Sequence, residues 1–173
     1  MTLLQIDKLI GNVNFDKDLK SKFENMSKSD RVETVKITRL ESERIRMRKV
    51  SDRGTQLALT LPYGSHLQDG DVVFLTEEKI IVIRRTAEDV LVISLHNDIP
   101  KDRILEVAIK IGHKIGNMHR PIKILGEQIF SPIQSDSELE LFEKLFFSLR
   151  DNLDISKDNI IFEPDAGYNI HEH

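Results

Sequence analysis

Strict alternation of apolar and polar residues over two neighbouring runs is the feature that most restricts this chain. RIRMRKV and TQLALTLP, residues 44–50 and 55–62, place Ile45 and Met47, and Leu57, Leu59 and Leu61, on one side of an extended backbone. A helix would scatter these residues around its circumference, so period two demands strands. Only Ser-Asp-Arg-Gly separates the runs, and Asp52 and Gly54 bring turn chemistry, which predicts a hairpin over residues 44–61. VVFLTEEKIIVIRR then reads as a second hairpin turning at Glu77 and Glu78. With a strand expected near residues 3–9, the first half becomes a small, mostly antiparallel β domain. Residues 11–30 are polar and poorly periodic and are expected to form a loop.

From Asp89 the pattern changes. VLVISL is a continuous apolar run suited to a buried strand. Beyond Pro100, Ile104, Ala108, Ile111 and Ile115 recur at helical spacing, and Gly116 and Asn117 offer a stop. PIKIL and QIF follow as short strands joined at Gly126 and Glu127. A second helix is expected over residues 135–150, capped by Ser135 or Asp136, with Leu139, Phe142, Phe146 and Leu149 on one stripe. NIIF closes the set as a last strand. The order β-α-β-β-α-β is the ferredoxin-like plan. The fold class is therefore α+β: an N-terminal antiparallel β domain over residues 1–87, a ferredoxin-like βαββαβ domain over 88–164, and a flexible C-terminal tail over 165–173, which follows Pro164 and carries Gly167.

The chain has no cysteine, so thiolate metal sites, iron–sulfur clusters and cysteine nucleophiles are excluded. Any metal chemistry must use histidine and carboxylate. A net charge of −4 over 173 residues argues against a dedicated nucleic-acid binder. The N-terminal run has no basic region ahead of a long apolar core, and no stretch approaches about 18 apolar residues, so neither a signal peptide nor a membrane span is expected, and a cytoplasmic setting is. No phosphate-binding glycine loop accompanies GHKIGN, and no nucleophile elbow is present. Arg44, Arg46 and Arg48 project from one side of a strand among acidic neighbours and read as a solvated face.

Six histidines remain: His66, His96, His113, His119, His171 and His173. His171 and His173 flank Glu172, and residues two apart in extended backbone point to the same side, where two imidazoles can converge on one divalent ion. His119 sits in the tight connection GNMHRP, framed by Gly116 and Pro121, which restrict the backbone and aim the side chain. His113 lies on the preceding helix opposite its apolar stripe and is an auxiliary ligand at best. His66 and His96 have no companion at ligand spacing.

GHKIGNMHRPIKI, followed by FEPDAGY and a histidine-bearing end, resembles the urease accessory protein UreE family of nickel metallochaperones. RIRMRKVSDRGTQLALTLPYGSHLQDGDVVF is similar to the family's N-terminal pattern, so the likeness covers nearly the whole chain. The resemblance implies a non-enzymatic homodimer with a peptide-binding-like first domain and a ferredoxin-like metal-binding second domain. It implies that His119 meets its twin across the dimer around Ni(II), with zinc, copper or cobalt able to substitute. It further implies that His171 and His173 complete that coordination, and that the ion passes through the GTPase UreG to apo-urease. The rival class is an RNA-binding or ribosome-associated ferredoxin-like module, which needs aromatic residues on its central strands to stack bases; VLVISL and PIKIL have none.

Overall fold

The computed structural model describes residues 3–165. The chain divides into two compact units, Met1–Thr86 and Ala87–His173.

The first unit contains β1 (Leu3–Ile6), β2 (Gly11–Asn12), α1 (Lys17–Lys28), β3 (Val32–Ile37), the short helix α2 (Arg39–Ser42), β4 (Arg46–Val50), β5 (Gln56–Thr60), β6 (Asp71–Leu75) and β7 (Ile80–Arg85). These strands form two sheets, ordered β1-β5-β4 and β2-β6-β7-β3. Both expected hairpins are present. β4 and β5 pair from Arg46 opposite Thr60 to Val50 opposite Gln56, and Gly54 closes their turn in the left-handed region at φ 86°. β6 and β7 pair antiparallel around a bulge between Val72 and Phe74. Leu57, Leu59 and Leu61 from one sheet meet Val35, Ile37, Ile81 and Ile83 from the other, so the period-two residues become the core between the sheets. The alternate residues of β7, Ile80 and Val82, face away from that core and pack with Leu19, Phe23 and Met26 of α1.

That helix corrects the sequence reading, which took residues 11–30 for a loop. Lysines and acidic residues dilute the stripe Leu19, Phe23, Met26, yet its i, i+4, i+7 spacing is enough once a sheet face is available to cover. Asp16 caps the helix by accepting from the backbone N–H groups of Asp18 and Leu19. The domain is also less antiparallel than expected. β1 runs parallel to β5 and β3 parallel to β7, because these strands are paired across long chain excursions rather than through hairpins. The first strand stops at Ile6, short of the expected Leu9.

The second unit contains β8 (Glu88–Leu95), α3 (Lys101–Asn117), β9 (Lys123–Leu125), β10 (Gln128–Pro132), α4 (Asp136–Leu145), a 3-10 turn at Phe147–Leu149, and β11 (Leu153–Ile160). Their sheet is ordered β11-β8-β10-β9 with every neighbouring pair antiparallel. Leu91 and Ile93 of β8 face both helices, meeting Val107, Ile111 and Ile115 of α3 and Phe142 of α4. Val90 and Val92 face the other way, against Phe130 and Phe162. The molecule is thus mixed α+β, as its patterning indicated.

Three elements of this unit differ in detail from the sequence reading. The buried ladder of α3 is Val107–Ile111–Ile115 at i, i+4, i+8, while Ile104 in the first turn is 41% exposed. The second helix ends at Leu145, and the tighter 3-10 turn carries Leu149 to the same core as Phe142 and Phe146. The last strand is Leu153–Ile160 rather than NIIF. It pairs with the whole of β8, and as the sheet's outer strand it carries Asp154, Ser156, Lys157 and Asp158, which mask its alternation. Among the described residues no helix is long and apolar enough to cross a membrane.

Candidate metal site

His119 occupies the first position beyond Met118, the C-cap of α3, and its backbone is left-handed, with φ 52°. That position usually belongs to glycine, because a Cβ there crowds the backbone. Histidine is among the few other residue types enriched in this region. The conformation closes the helix: the N–H of Met118 donates to Ile115 O at 3.0 Å and that of His119 to Gly116 O at 2.9 Å. The residue is exposed.

The residues that follow lock the connection to its surroundings. Arg120 forms an ion pair with Glu138 of α4. Glu138 also accepts from the backbone N–H of Gln134 at 2.7 Å, holding the start of that helix. The carbonyl of Pro121 accepts from the buried Ser131 hydroxyl of β10 at 3.1 Å. His119 is therefore flanked on both sides by backbone held in place, so little backbone entropy remains to be lost when it takes a ligand. His119 also follows the C-terminus of α3, the negative end of the helix dipole, an environment worth about 0.3–1 kcal/mol for a neighbouring cation.

His113 is exposed near the end of the same helix, as its position opposite the apolar stripe indicated. Its Nε2 lies 3.1 Å from Asn117 Nδ2, so that nitrogen is already engaged within the helix. Only a rearrangement of Asn117 would release it for a metal. His171 and His173, with Glu172, lie outside the described residues. His96 stands apart from this region in function: its Nε2 is 3.1 Å from Asp154 Oδ2, and that hydrogen bond raises its pKa.

Among the described residues, no three His, Asp or Glu side chains gather closely enough to hold a metal ion. Residues 3–165 of one copy thus offer His119 without a complete set of three such side chains around it. Imidazole suits nickel, copper and zinc, whereas calcium and magnesium prefer oxygen. Sequence reasoning singled out His119 from its Gly and Pro frame but missed Glu138 and Ser131, which hold the neighbouring Arg120 and Pro121. Nothing in their local sequence marks them, because each acts on a residue brought near by folding.

Comparison with known proteins bears on the same chain. Residues 6–85 match the sequence family described as UreE urease accessory protein, N-terminal domain. The chain is similar to urease accessory protein UreE of Natronomonas pharaonis, 28% identical over 134 residues that cover 78% of this chain and 61% of that protein. It is similar to urease accessory protein UreE 1 of Pseudomonas syringae pv. tomato, 28% identical over 149 residues, 86% of this chain and 96% of that one. Urease accessory protein UreE of a Synechococcus strain is 36% identical over 104 residues, 60% of this chain and 64% of its own length.

Proposed function

Because the chain belongs to the UreE family of urease accessory proteins, which assist urease maturation and are not enzymes, we propose that it is a metallochaperone that carries Ni(II) as cargo and delivers it to apo-urease. The observation that carries this reading is His119: an exposed residue in left-handed backbone between two held segments, where no three His, Asp or Glu side chains gather among the described residues. One imidazole by itself holds a divalent ion weakly. A two-fold axis supplies its twin without any further sequence, which favours a homodimer sharing the ion.

The outer face of α3 supports such pairing. Leu105 and Ile109, 68% and 61% exposed, fall on one helical face with Gly112 and Gly116, around which there is open space. An apolar stripe bordered by glycines lets another helix approach closely, and it runs toward His119. We read the second unit as ferredoxin-like, a reading supported by its β-α-β-β-α-β order and by β11-β8-β10-β9 being strands four, one, three and two. The first unit would be the peptide-binding-like domain, and the boundary near residue 87 separates the two roles. UreG and the apo-urease complex are the recipients, in the cytoplasm, with zinc, copper or cobalt as substitutes for nickel.

Histidine ligation without thiolate suits a donor. At a Kd of about 1 μM and an association rate of roughly 10⁷ M⁻¹s⁻¹, an ion leaves in about a tenth of a second, whereas a picomolar site would hold it for about a day. Only neutral imidazole ligates, so binding weakens below about pH 6.5. The RNA-binding alternative is disfavoured because Phe130 and Phe162 on the helix-free face of the sheet are buried and offer no stacking platform.

The test is calorimetric titration of the full chain with NiCl₂. His119→Ala should abolish the tight site shared between copies. Removing residues 171–173 should reduce stoichiometry or affinity less severely. Unchanged binding by His119→Ala overturns the assignment.

A further inference from the structure

The helix that the sequence concealed borders a cavity. In the first unit, the C-terminal half of α1 meets the turn between β6 and β7, and a cavity of about 490 Å³ lies there. Sites for small ligands span about 300–1,000 Å³. Lys22, Asn25 and Met26 line it from α1, at i, i+3 and i+4 on one helical face. Arg31 joins them from the connection between α1 and β3, and Leu75 and Glu77 from the end of β6 and the turn beyond it. Met26 is buried and Leu75 half-buried, and both belong to the apolar cluster that joins α1 to the sheet. Part of the lining is therefore apolar.

The frame is held by the protein's own backbone. The N–H of Arg31 donates to Met26 O at 2.9 Å, and its carbonyl accepts from the N–H of Ile80 at 3.0 Å. In the turn, the N–H of Thr76 donates to Lys79 O at 2.9 Å, and the Thr76 hydroxyl accepts from the N–H of Lys79 at 3.2 Å. The Arg31 guanidinium ties the two walls together, its Nη1 donating to Glu77 O at 2.7 Å. Its other N–H groups, the Lys22 ammonium and the Asn25 side-chain amide have no protein partner among the described residues. One cavity thus collects three side chains with donors to spare.

We infer that this cavity is a binding site for a carboxylate carried on a short apolar body, the form shared by a free aliphatic acid and by the last residue of a peptide. Arginine's planar fork matches a carboxylate, lysine adds a point charge, and Asn25 a neutral donor. Met26 and Leu75 receive the apolar part, as apolar walls do around the few polar groups of a ligand site. Lys22 and Arg31 against Glu77 leave the lining with one net positive charge. That balance suits one carboxylate and disfavours a phosphate dianion, which would bring a second negative charge beside Glu77. The site uses no residue of the second unit, and neither it nor its test depends on nickel.

Titrating the full-length, metal-free protein with sodium 4-methylpentanoate should shift the NMR amide signals of residues 22–31 and 75–79 saturably, with a Kd on the order of 1 mM. Neutral 4-methylpentanamide should bind at least about ten-fold more weakly, because it offers the two cations no charge. Arg31→Gln should weaken binding of the acid about ten-fold and Lys22→Gln about three-fold. Glu77→Gln should tighten it about two-fold by removing the opposing charge, a gain that misfolding cannot mimic. Acetyl-Ala-Ala-Leu separates the two sources: binding as tight as that of the small acid, or tighter, assigns the peptide terminus, and weaker binding assigns the free acid. The site is overturned if neither probe gives a saturable shift, if acid and amide bind equally, or if inorganic phosphate binds more tightly than the acid. Unchanged affinity in the Lys22→Gln/Arg31→Gln double variant overturns it as well.

Discussion

Replacing His119 with glycine should strengthen the fold while removing its proposed function. An L-residue in left-handed backbone costs about 1–2 kcal/mol relative to glycine's indifference to the sign of φ, and His119 is held there at φ 52° by the closure of α3. Glycine returns part of this gain, roughly 0.5–1 kcal/mol, through its more disordered unfolded state. The net expectation for His119→Gly is stabilisation by about 0.5–1 kcal/mol. In a unit of this size each kcal/mol moves Tm by about 4–8 °C, so the second unit should melt about 2–8 °C higher. His119→Ala keeps the Cβ, so it should show no such gain. Both variants should lose the tight nickel site equally. Differential scanning calorimetry and nickel titration on the pair read the two effects separately. A glycine variant that melts at or below the alanine variant refutes the argument from backbone geometry. A glycine variant that still binds nickel tightly refutes the ligand assignment.

Two further expectations concern titrating groups. The Asp154 hydrogen bond raises the pKa of His96, so its stabilisation is complete below the unfolded value near 6.5 and disappears as pH climbs through the raised folded value; Asp154→Asn should bring the His96 midpoint down in an NMR titration, and an unmoved midpoint contradicts the pairing. In the first unit, burial pushes Glu33 up, but hydrogen bonds from Ser51, Thr55 and the Lys79 ammonium outweigh it and hold the carboxyl below its ordinary value. Lys79→Met should cost about 2 kcal/mol in urea unfolding at pH 7 by leaving a buried carboxylate without its cation. That deficit should shrink as pH falls through the folded Glu33 value, where the native pair is itself lost; a deficit independent of pH points instead to lost packing.

Strand and helix identities were legible wherever one face alone is buried and local chemistry terminates the element. The β4–β5 hairpin announced itself through Leu57, Leu59, Leu61 and Gly54, and the β-α-β-β-α-β order of the second unit through apolar spacing. The tight connection that carries His119 was legible for a similar reason, since Gly116 and Pro121 frame it in one short segment. α1 was not, because Leu19, Phe23 and Met26 are too few among lysines and acids to stand out until β7 presents Ile80 and Val82 to cover. β11 was blurred because an outer strand tolerates polar residues that hide its period.

Tertiary structure alone decided the rest. The parallel pairings of β1 with β5 and β3 with β7 join residues distant in the chain, and no local pattern encodes which strand a partner will be. The left-handed turn at His119 follows from how α3 closes against a connection clamped by Glu138 and Ser131. The contact of Asp165 with Ile124 spans 41 positions and uses a backbone N–H that every residue but proline possesses. Side-chain periodicity is written along the chain and can be read there. Which backbone groups are left over for such a side chain to satisfy is settled only when the sheet edges exist.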